Sequence, residues 1–552
     1  LSQWAQHSNM CEVTRTSFEK LFPLIEKTIK QADFVAIDSE FTGLYVRDND
    51  KPSLFDTSED RYRKMRNSVT RLTLCQIGIS AFVKNKTDSV YEAHTYNFPL
   101  CSMAFGPIDP CFTWQASAME FLSRFNFDFN KCVYEGVSFL NDEQERQLCQ
   151  SMESGALFSG VERQFDESFI QSLCSVVAQW YVSSKEGETY TLHKTNADAK
   201  LWCDYVIHSE IRRRFPLVWT VNDTFKNIAV EKVTPQRRAE LEERNKVDQE
   251  QEQEKLKQSM LGFTRVFRVL REYQKILVGH NMMMDLMFMY DKFFRPLPPK
   301  YATFKRDLHD VFPRIYDTKH MSFSMKKMLE DITGVFSTNL VQLHRILNSD
   351  KVVNSTLYTP SVSHATGLQR YKDHHAPHEA GFDAYLCGFA FLRMCHLLHF
   401  RNTTKNSMRN TPFRLYLESL APQVNKVNMI RAMLNHIQLD GKDPPCLRPQ
   451  QLYVRCRKRG QKLNSHQLAE WLSVCGTVDI RLLSSSTALV VAGNFTCARA
   501  IMATFKGHRV ISVSKYRYWR HSRVAKTVMW CGFLLSSGVC VWTVLSLFKD
   551  GD

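Results

Sequence analysis

The first 150 or so residues alternate between the apolar spacing of helices and that of strands. Residues 18–29 repeat apolar side chains every three to four positions, as one face of an amphipathic helix does. Three short apolar runs typical of buried strands follow at 34–37, 72–79 and 90–96. Residues 122–148 again show helical spacing in parts. This alternation predicts a mixed α/β domain.

The middle of the chain interrupts this pattern and then resumes it. Residues 164–227 carry three tryptophans and a basic cluster, and they predict a small inserted domain. Residues 234–257 interleave Glu and Gln with Lys and Arg, which is typical of a solvated helix or a linker. Helical spacing returns at 261–270, before a predicted strand at 275–278 and a helix that begins near Asp383. A second part of the α/β domain is therefore expected after the insertion.

A third region is expected beyond about residue 422. Its predicted elements are a strand at 452–456, a helix at 463–474, strands at 478–483 and 488–492, a helix at 497–505 and a strand at 509–513. The order β-α-β-β-α-β is compatible with an RNA-recognition-motif (RRM) fold. The third of these strands lacks the stacking aromatic residues of the usual RNA-binding signature, although Tyr453 lies on the first. The pattern therefore favours the fold more strongly than RNA binding by its sheet.

The C-terminal end contains a long uncharged segment. Residues 527–548 include no charged side chain, and as a helix they would span about 33 Å, against about 30 Å for the hydrocarbon core of a bilayer. Basic and aromatic residues precede the segment, which predicts that the bulk of the protein stays on the cytosolic side. The alternative is a buried helix of the third domain. The length of this segment, its position at the C-terminal end and the basic residues before it favour a membrane tail anchor.

Composition and charge narrow the class of protein. The 552 residues predict two or three domains, and a hydrophobic share of 44% is that of a folded protein. The net charge of +15 favours a polyanionic partner, either nucleic acid or an anionic membrane, over an incidentally basic protein. The 16 cysteines are scattered without a Cys-x-x-Cys pair, which predicts free thiols in a reducing compartment.

Two carboxylates stand two positions apart at the end of the first predicted strand. Because side chains alternate along a strand, Asp38 and Glu40 project from the same face. Burying two like charges side by side is costly, and a divalent cation is the usual compensation. The pair alone is weak evidence, since most such pairs are ordinary surface residues.

A further acidic residue lies in an apolar setting. Asp285 falls in the first turns of a predicted helix, among methionines whose expected role is core packing. Asn281 is the expected N-cap of that helix. An acid in such surroundings needs a metal ion or a basic partner.

The last acidic residue comes with a histidine. His378 precedes Asp383 by five residues, so a loop histidine can lie over a carboxylate on the helix that follows. His374 and His375 are nearby, and we expect them to be exposed loop residues because they lack this relation to the helix start.

In this order, these segments resemble the DEDD exonuclease superfamily in its DEDDh branch, whose core is RNase H-like. The likeness is closer still to poly(A)-specific ribonucleases and their membrane-anchored relatives, the trimmers of piRNA precursors. The segments that carry it are FVAIDSEFTGL, RLTLCQIGIS, FDFNK followed by GVSFLNDEQERQL, ILVGHNMMMD, FPRIYDTKHM and HEAGFDAYLCG. They cover about residues 34–398.

The resemblance implies a domain plan. An exonuclease domain in two parts would occupy 18–163 and 259–421, with the inserted domain and charged linker at 164–258. An RRM-like domain would follow at 422–523, and a transmembrane tail anchor at 527–548.

The resemblance also implies hydrolysis of RNA from the 3′ end with two Mg²⁺ ions. Asp38 would bridge the ions, Glu40 and Asp383 would complete one site, and Asp285 would hold the other, partly through water. His378 would deprotonate the attacking water. Oxygen ligands without thiolates suit Mg²⁺ or Mn²⁺ rather than zinc.

Four residues are expected to contact single-stranded RNA by the same resemblance. Phe41 and Leu44 would pack on the terminal nucleotides, Phe121 would contribute nearby, and Lys319 would reach a phosphate. Core packing is the alternative for Phe121, and a surface salt bridge is the alternative for Lys319.

Partners follow from the same likeness. The insertion of poly(A)-specific ribonucleases binds single strands through an Arg and a His separated by three residues. We expect no such pair in 164–227, so RNA binding there is not expected. The tail favours the trimmers, which work at the mitochondrial outer membrane with a Tudor-domain scaffold on PIWI-bound precursor RNA. The endoplasmic reticulum stays open as a location, and homodimerisation stays open as well.

The leading hypothesis is therefore a tail-anchored 3′→5′ exoribonuclease that trims piRNA precursors. A membrane-associated deadenylase acting on poly(A) is the rival enzyme. An inactive RNA-binding scaffold is the rival from another class, and it would have no need of four carboxylates and a histidine.

Overall fold

The chain divides into two compact units. The structure, a computed structural model, describes residues 10–85, 89–104, 108–153, 167–193, 201–224, 227–403, 410–458 and 460–549. The first unit comprises Leu1–Asp50, Met65–Asn428 and Gln438–Lys442, and the second Lys51–Lys64, Met429–Ile437 and Asp443–Asp552. The boundary predicted at 163–164 lies outside the described residues.

Strands and helices alternate up to residue 442. The described strands there are β1 (Phe34–Phe41), β2 (Leu74–Lys84), β3 (Val90–Pro99), β4 (Thr189–His193), β5 (Val218–Thr224), β6 (Asn227–Lys232), β7 (Leu277–Gly279), β8 (Ile315–Asp317), β9 (Ser361–His364), β10 (Lys426–Asn428) and β11 (His436–Gln438). The helices are α1 (Phe18–Gln31), α2 (Ser58–Val69), α3 (Ala116–Ser123), α4 (Phe129–Glu135), α5 (Asp142–Glu153), α6 (Glu167–Ser183), α7 (Leu201–Arg214), α8 (Pro235–Leu261), α9 (Phe263–Glu272), α10 (Met283–Met289), α11 (Tyr301–Val311), α12 (Thr318–Ser324), α13 (Lys326–Thr333), α14 (Leu340–Leu347), α15 (Asp350–Val353), α16 (Arg370–Asp373), α17 (Ala380–Asn402) and α18 (Phe413–Ser419).

A six-stranded mixed sheet forms the centre of the first unit. Its order is β8-β7-β1-β2-β3-β9. The strands β1, β2 and β3 form an antiparallel meander, whereas β7, β8 and β9 join in parallel register. The predicted mixed α/β class is confirmed.

The long helix α17 packs on this sheet and is buried along most of its length. Aromatic rings contribute to this packing. The ring of Phe34 stacks on that of Phe82 within the sheet at 4.7 Å, and it meets the ring of Phe391 on α17 edge-on at 4.9 Å. Close approach depends on Gly78 of β2, where an added Cβ would lie 2.0 Å from the carbonyl oxygen of Ala380. The first turn of α17 therefore rests directly on the strand next to β1.

The residues of the predicted insertion form a small sheet with helices of their own. The sheet order is β4-β6-β5, and Val177, Ile228 and Val230 belong to a separate apolar cluster. The expected absence of an Arg and a His separated by three residues is wrong, because His208 and Arg212 form such a pair, with the His first. Both hydrogen-bond to the hydroxyl of Thr220, with His208 buried, so they stabilise this small domain internally. The charged segment 234–257 lies within the helix α8, as one of the two predictions for it required.

The second unit contains a four-stranded sheet. Its elements are β12 (Leu452–Cys456), α19 (Ser465–Ser473), β13 (Val478–Ser484), β14 (Thr487–Ala492), α20 (Phe495–Thr504) and β15 (Ile511–Lys515), and the strand order is β13-β14-β12-β15. The order along the chain is the β-α-β-β-α-β that the apolar pattern predicts. The ring of Tyr453 stacks on that of His521 at 4.3 Å, so a protein ring already occupies one of its faces. RNA binding by this sheet stays a prediction.

The chain continues through the short helix α21 (Tyr518–His521) into the long helix α22 (Arg523–Lys549). Within the described residues, α22 is the one helix long and apolar enough to cross a membrane, with the span at Val524–Trp542. Large apolar side chains such as Trp530 and Leu535 are 64% and 73% exposed. A buried core helix, the alternative considered for this segment, does not fit such exposure.

Candidate active site

Four carboxyl groups from three elements come together on the central sheet. Asp38 and Glu40 lie on the same face of β1, opposite Gly78 and Gln76 of β2. Asp285 is the third residue of α10, and Asp383 is the fourth residue of α17. We call these four residues the acidic cluster. Three of its members are buried, and Asp38 is partly exposed.

The members of the acidic cluster repel one another. The pKa of Asp38 is raised well above its usual value by burial and by the charges of Asp383, Asp285 and Glu40. Burial, together with Asp383 and Asp285, raises the pKa of Glu40 in the same way. Burial raises the pKa values of Asp285 and Asp383 to about 7. Such a site favours any cation that offsets the negative charge.

One part of the site has the spacing of a metal-binding group. One ligand atom from each of Glu40, Asp383 and His378 lies within 4.8 Å of the others, and the residues that the structure describes contain no other such group of three. Hard carboxylate oxygens predominate, and they suit a divalent cation such as Mg²⁺ or Mn²⁺. The donor set therefore fits a metal ion.

His378 is positioned by its backbone as well as by its ring. Its φ of 64° lies in the left-handed region, which non-glycine residues seldom adopt. In this conformation its backbone N–H donates to Oδ2 of Asp383 at 2.9 Å. Burial lowers the pKa of the imidazole, which is therefore neutral near pH 7 and able to accept a proton.

Two phenylalanines enclose that imidazole. The ring centroids of Phe125 and Phe121 lie 4.1 and 4.8 Å from that of His378. Both are partly exposed, with 38% and 41% of their surface open to solvent. The second of these, Phe121, is thus not a core residue. Sequence reasoning missed Phe125, because the segment is rich in phenylalanine and gives no sign of which ring faces the site.

Side chains from the sheet hold the first turn of α17. Oε1 of Gln76 accepts from the N–H of Ala380 at 2.8 Å, and Oδ1 of Asn97 accepts from that of Gly381 at 3.0 Å. Glu379, the N-cap residue, makes no capping hydrogen bond with its own side chain. Gln76 and Asn97 therefore position Asp383, and no sequence signal distinguished them from other polar residues on strands.

Asp317 positions Asp285 in a similar way. Its fully buried carboxylate accepts hydrogen bonds from the backbone N–H groups of Asn281 (2.9 Å), Lys319 (2.9 Å) and Asn428 (3.0 Å), among others. It thus ties together the strand end of β8, the loop before α10 and the strand β10.

The expected N-cap role of Asn281 is wrong. The N-cap of α10 is Met282, without a side-chain hydrogen bond, and Asn281 has a φ of 62°. Its side-chain oxygen accepts from Nδ2 of Asn428 at 2.8 Å. The helix begins one residue later than the sequence suggests, so the side chain of Asn281 contacts β10 instead of the helix start.

The four predicted RNA contacts lie in different surroundings. The ring of Phe41 stacks on that of Phe288 at 4.6 Å and is partly exposed, and Leu44 is 55% exposed. Burial lowers the pKa of Lys319 against the opposing charge of Asp317. No ion pair of Lys319 with an acidic side chain occurs in the described part of the chain. A role in RNA binding stays a prediction for all four.

Known proteins similar to this chain are ribonucleases. The sequence profile of the family described as CAF1 family ribonuclease matches residues 13–391, which include the acidic cluster and His378. The chain is 35% identical over 517 residues to poly(A)-specific ribonuclease PNLDC1 of Mus musculus, covering 93% of this chain and 94% of that protein. It is 31% identical over 541 residues to the pre-piRNA 3′-exonuclease trimmer of Bombyx mori, covering 98% and 99%. It is 28% identical over 542 residues to poly(A)-specific ribonuclease PARN of Danio rerio, covering 94% and 78%.

Proposed function

This chain belongs to the CAF1 ribonuclease family, and from that premise we propose that it is a 3′→5′ exoribonuclease that trims piRNA precursors. The observation that carries the chemistry is the grouping of Glu40, Asp383 and His378 beside Asp38. The substrate follows from the similarity to a pre-piRNA 3′-exonuclease trimmer over nearly the whole of both chains.

The residues of the site divide the work of hydrolysis. The acidic cluster would hold two divalent cations, which would supply charge neutralisation at phosphorus and stabilisation of the leaving 3′-oxygen. The neutral ring nitrogen of His378 takes the proton of the attacking water. The ring stays in place because its backbone N–H is bonded to Asp383 and because Phe121 and Phe125 enclose it.

Removing one carboxylate tests the proposal. Asp38→Ala should abolish Mg²⁺-dependent loss of 3′ nucleotides without unfolding the protein, because the substitution relieves repulsion within the acidic cluster. The wild-type melting temperature should rise with Mg²⁺, and that of the variant should rise less. Full RNA shortening by Asp38→Ala would sink the assignment. Absence of Mg²⁺-dependent shortening by the wild type would instead favour the inactive scaffold.

The rival enzymatic function is removal of poly(A), which the names of two relatives suggest. Purified protein should be given poly(A) and mixed-sequence RNA of equal length. We expect comparable rates on both, because stacking contacts such as those proposed for Phe41 and Leu44 tolerate any base. A strong preference for adenosine would favour the deadenylase.

We also propose that the protein works on a membrane surface. The support is the exposed apolar helix α22 and the basic residues that precede it. The mitochondrial outer membrane is the favoured location, with the endoplasmic reticulum as the alternative. A Tudor-domain scaffold and PIWI-bound precursor RNA are the proposed partners, and homodimerisation is a further proposal that gel filtration in detergent would test.

A further inference from the structure

A cavity lies beside α17, lined by residues other than those of the acidic cluster. It has a volume of about 610 Å³ and is bordered by α14, β9, the segment around α16 and one face of α17. Phe382, Tyr385, Phe389 and Arg393 recur every three to four residues, so they share one face of the helix. Asp383 lies on a different face. We call this space the basic cavity.

Arg393 lies in the basic cavity without a counter-charge. The side chain is 8% exposed, and its Nε is buried without a hydrogen-bond partner. Among described residues it makes no ion pair, and its guanidinium carbon lies 5.0 Å from the ring centroid of Phe389. Burial lowers the pKa of Arg393, and the ionisable groups that oppose this are the hydroxyls of Tyr385 and Tyr416 rather than carboxylates. A buried guanidinium in such a setting calls for an anion.

Four further residues that line the basic cavity are cationic or can become so. They are His344, His364, His375 and Lys372, and they stand beside the uncharged polar residues Asn348, Ser361, Ser363 and Gln369. The Nδ1 of His364 is buried and has no hydrogen-bond partner, as the Nε of Arg393 has none. Burial and the charges of His375, Arg393 and Arg345 lower the pKa of His344 to about 4, which shows that the surroundings are electropositive. One carboxylate, that of the exposed Asp373, acts on His364 in the opposite direction.

These histidines do not form a metal site. In the described part of the chain, the one group of three metal-ligating side chains at close spacing is that of Glu40, His378 and Asp383. The imidazoles pack instead on aromatic rings: His344 on Phe389 and His364 on Tyr385, both with centroids 4.4 Å apart. The basic cavity thus combines aromatic walls with unpaired donors.

We propose that the basic cavity binds the terminal phosphate of a small phosphorylated ligand, with Arg393 as the main contact. A guanidinium donates to phosphate oxygens in a planar fork, which makes arginine well suited to this group. The volume falls in the usual range of about 300–1,000 Å³ for small-ligand sites and has room for a mononucleotide. Because Arg393 is almost fully buried, a phosphate at the end of a molecule reaches it more readily than one within a chain.

Isothermal titration calorimetry on the full chain in detergent tests this proposal. The titrants are inorganic phosphate, adenosine 5′-monophosphate and adenosine, all in EDTA so that the acidic cluster holds no metal ion. We expect the two phosphates to bind and adenosine to bind at least tenfold more weakly. Tighter binding of the monophosphate than of phosphate identifies a mononucleotide site, and the reverse identifies a site for free phosphate.

The matched variants are Arg393→Met and Arg414→Met. Arg393→Met should weaken phosphate binding at least tenfold and leave the melting temperature equal or higher, since it removes an uncompensated buried charge. The side chain of Arg414 on α18 is 83% exposed. The Arg414→Met protein should therefore bind phosphate as tightly as the wild type. If Arg393→Met fails to fold, His364→Phe keeps a ring against Tyr385 and should weaken binding at least threefold. Undetectable binding by the wild type, or equal binding by these cavity variants, would overturn the proposal.

Discussion

At the scale of single residues, the site is defined by charges that are unfavourable without a cation. The acidic cluster crowds four carboxyl groups onto one face of a sheet, and each has a raised pKa. Residues outside the acidic cluster keep this arrangement in place. Asp317, Gln76 and Asn97 satisfy backbone N–H groups that would otherwise be free to move.

The raised pKa values predict how stability depends on pH. Asp383 has a pKa of about 7 in the folded protein and an ordinary value of 3.8. Between these values the folded state retains a proton that the unfolded state has lost. The contribution of Asp383 to stability is therefore fully present below about pH 4 and is lost as pH rises through 7. In EDTA the melting temperature of the wild type should therefore fall more between pH 5 and pH 8 than that of Asp383→Asn, by roughly 2 °C or more. Melting temperatures that change equally with pH in the wild type and in Asp383→Asn would contradict this prediction.

The role of His378 predicts a loss of rate without a loss of metal binding. His378→Asn keeps a residue that tolerates positive φ and removes the base, so the rate of RNA shortening should fall about 10²- to 10⁴-fold. The rise in melting temperature on adding Mg²⁺ should be unchanged. The exposed His374, changed to Asn, serves as the control and should keep the wild-type rate. If His378→Asn also loses the effect of Mg²⁺, His378 is a metal ligand.

Sequence reasoning found the reactive side chains but not those that support them. Asp38, Glu40 and Asp285 were conspicuous because acids in apolar runs are rare. Phe125 and Asn97 were not, because a phenylalanine in a phenylalanine-rich segment or an asparagine on a strand has no local signal. Their contacts depend on chain segments more than 200 residues away.

At the scale of elements, the contact of α17 with β2 determines where Asp383 lies. Helices and strands with several periods of apolar spacing were predicted to within a few residues, among them α1, β3 and α20. The strands β8 and β9 were missed, since three or four residues show too little of the alternating pattern by which a strand is recognised. Both short strands nevertheless border functional or cavity residues, as Asp317 and His364 show.

The closest approach between α17 and β2, at Gly78, gives a prediction. An added Cβ at Gly78 would lie 2.0 Å from the backbone oxygen of Ala380, so Gly78→Ala must displace the first turn of α17. We expect a loss of about 1–3 kcal/mol in stability, as for other overpacked cores. We also expect a loss of most stabilisation by Mg²⁺, because Asp383 moves with the turn.

Gly441→Ala is the matched control, because its added Cβ would approach nothing closer than 3.9 Å. Thermal unfolding with and without Mg²⁺ measures both effects. Equal responses of the two variants to Mg²⁺ would show that α17 adapts without moving Asp383.

At the scale of the whole molecule, the helix proposed to attach the protein to a membrane and the residues proposed for catalysis belong to different units. The acidic cluster belongs to the first unit, and α22 belongs to the second. The apolar pattern predicted this helix and the β-α-β-β-α-β order before it. It could not show that the chain divides into two units with 51–64 in the second, because that grouping depends on contacts between distant segments.

Removing the tail should therefore change location and not catalysis. A chain that ends before α22 should no longer sediment with membranes, while its rate on free RNA should stay within about threefold of the wild type. Leu534→Arg is the point variant, since a central arginine costs about 2.5–3.5 kcal/mol in membrane insertion. The change lies in a fully exposed stretch of the helix, where it should not affect folding. Slower shortening of free RNA without the tail would contradict this separation.

The crowded carboxyl groups have a consequence for the energetics of loading the site. Near pH 7 the acidic cluster retains protons in part, because the pKa values of Asp285 and Asp383 are raised to about 7. A cation that enters must displace those protons, so metal uptake and acidity compete for the same oxygens. The apparent affinity for Mg²⁺ should then weaken with each drop in pH, and the heat of binding should vary with the ionisation enthalpy of the buffer. The protein thereby exchanges protons for metal ions, and a modest acidification of its surroundings would lower its activity before any other residue had changed.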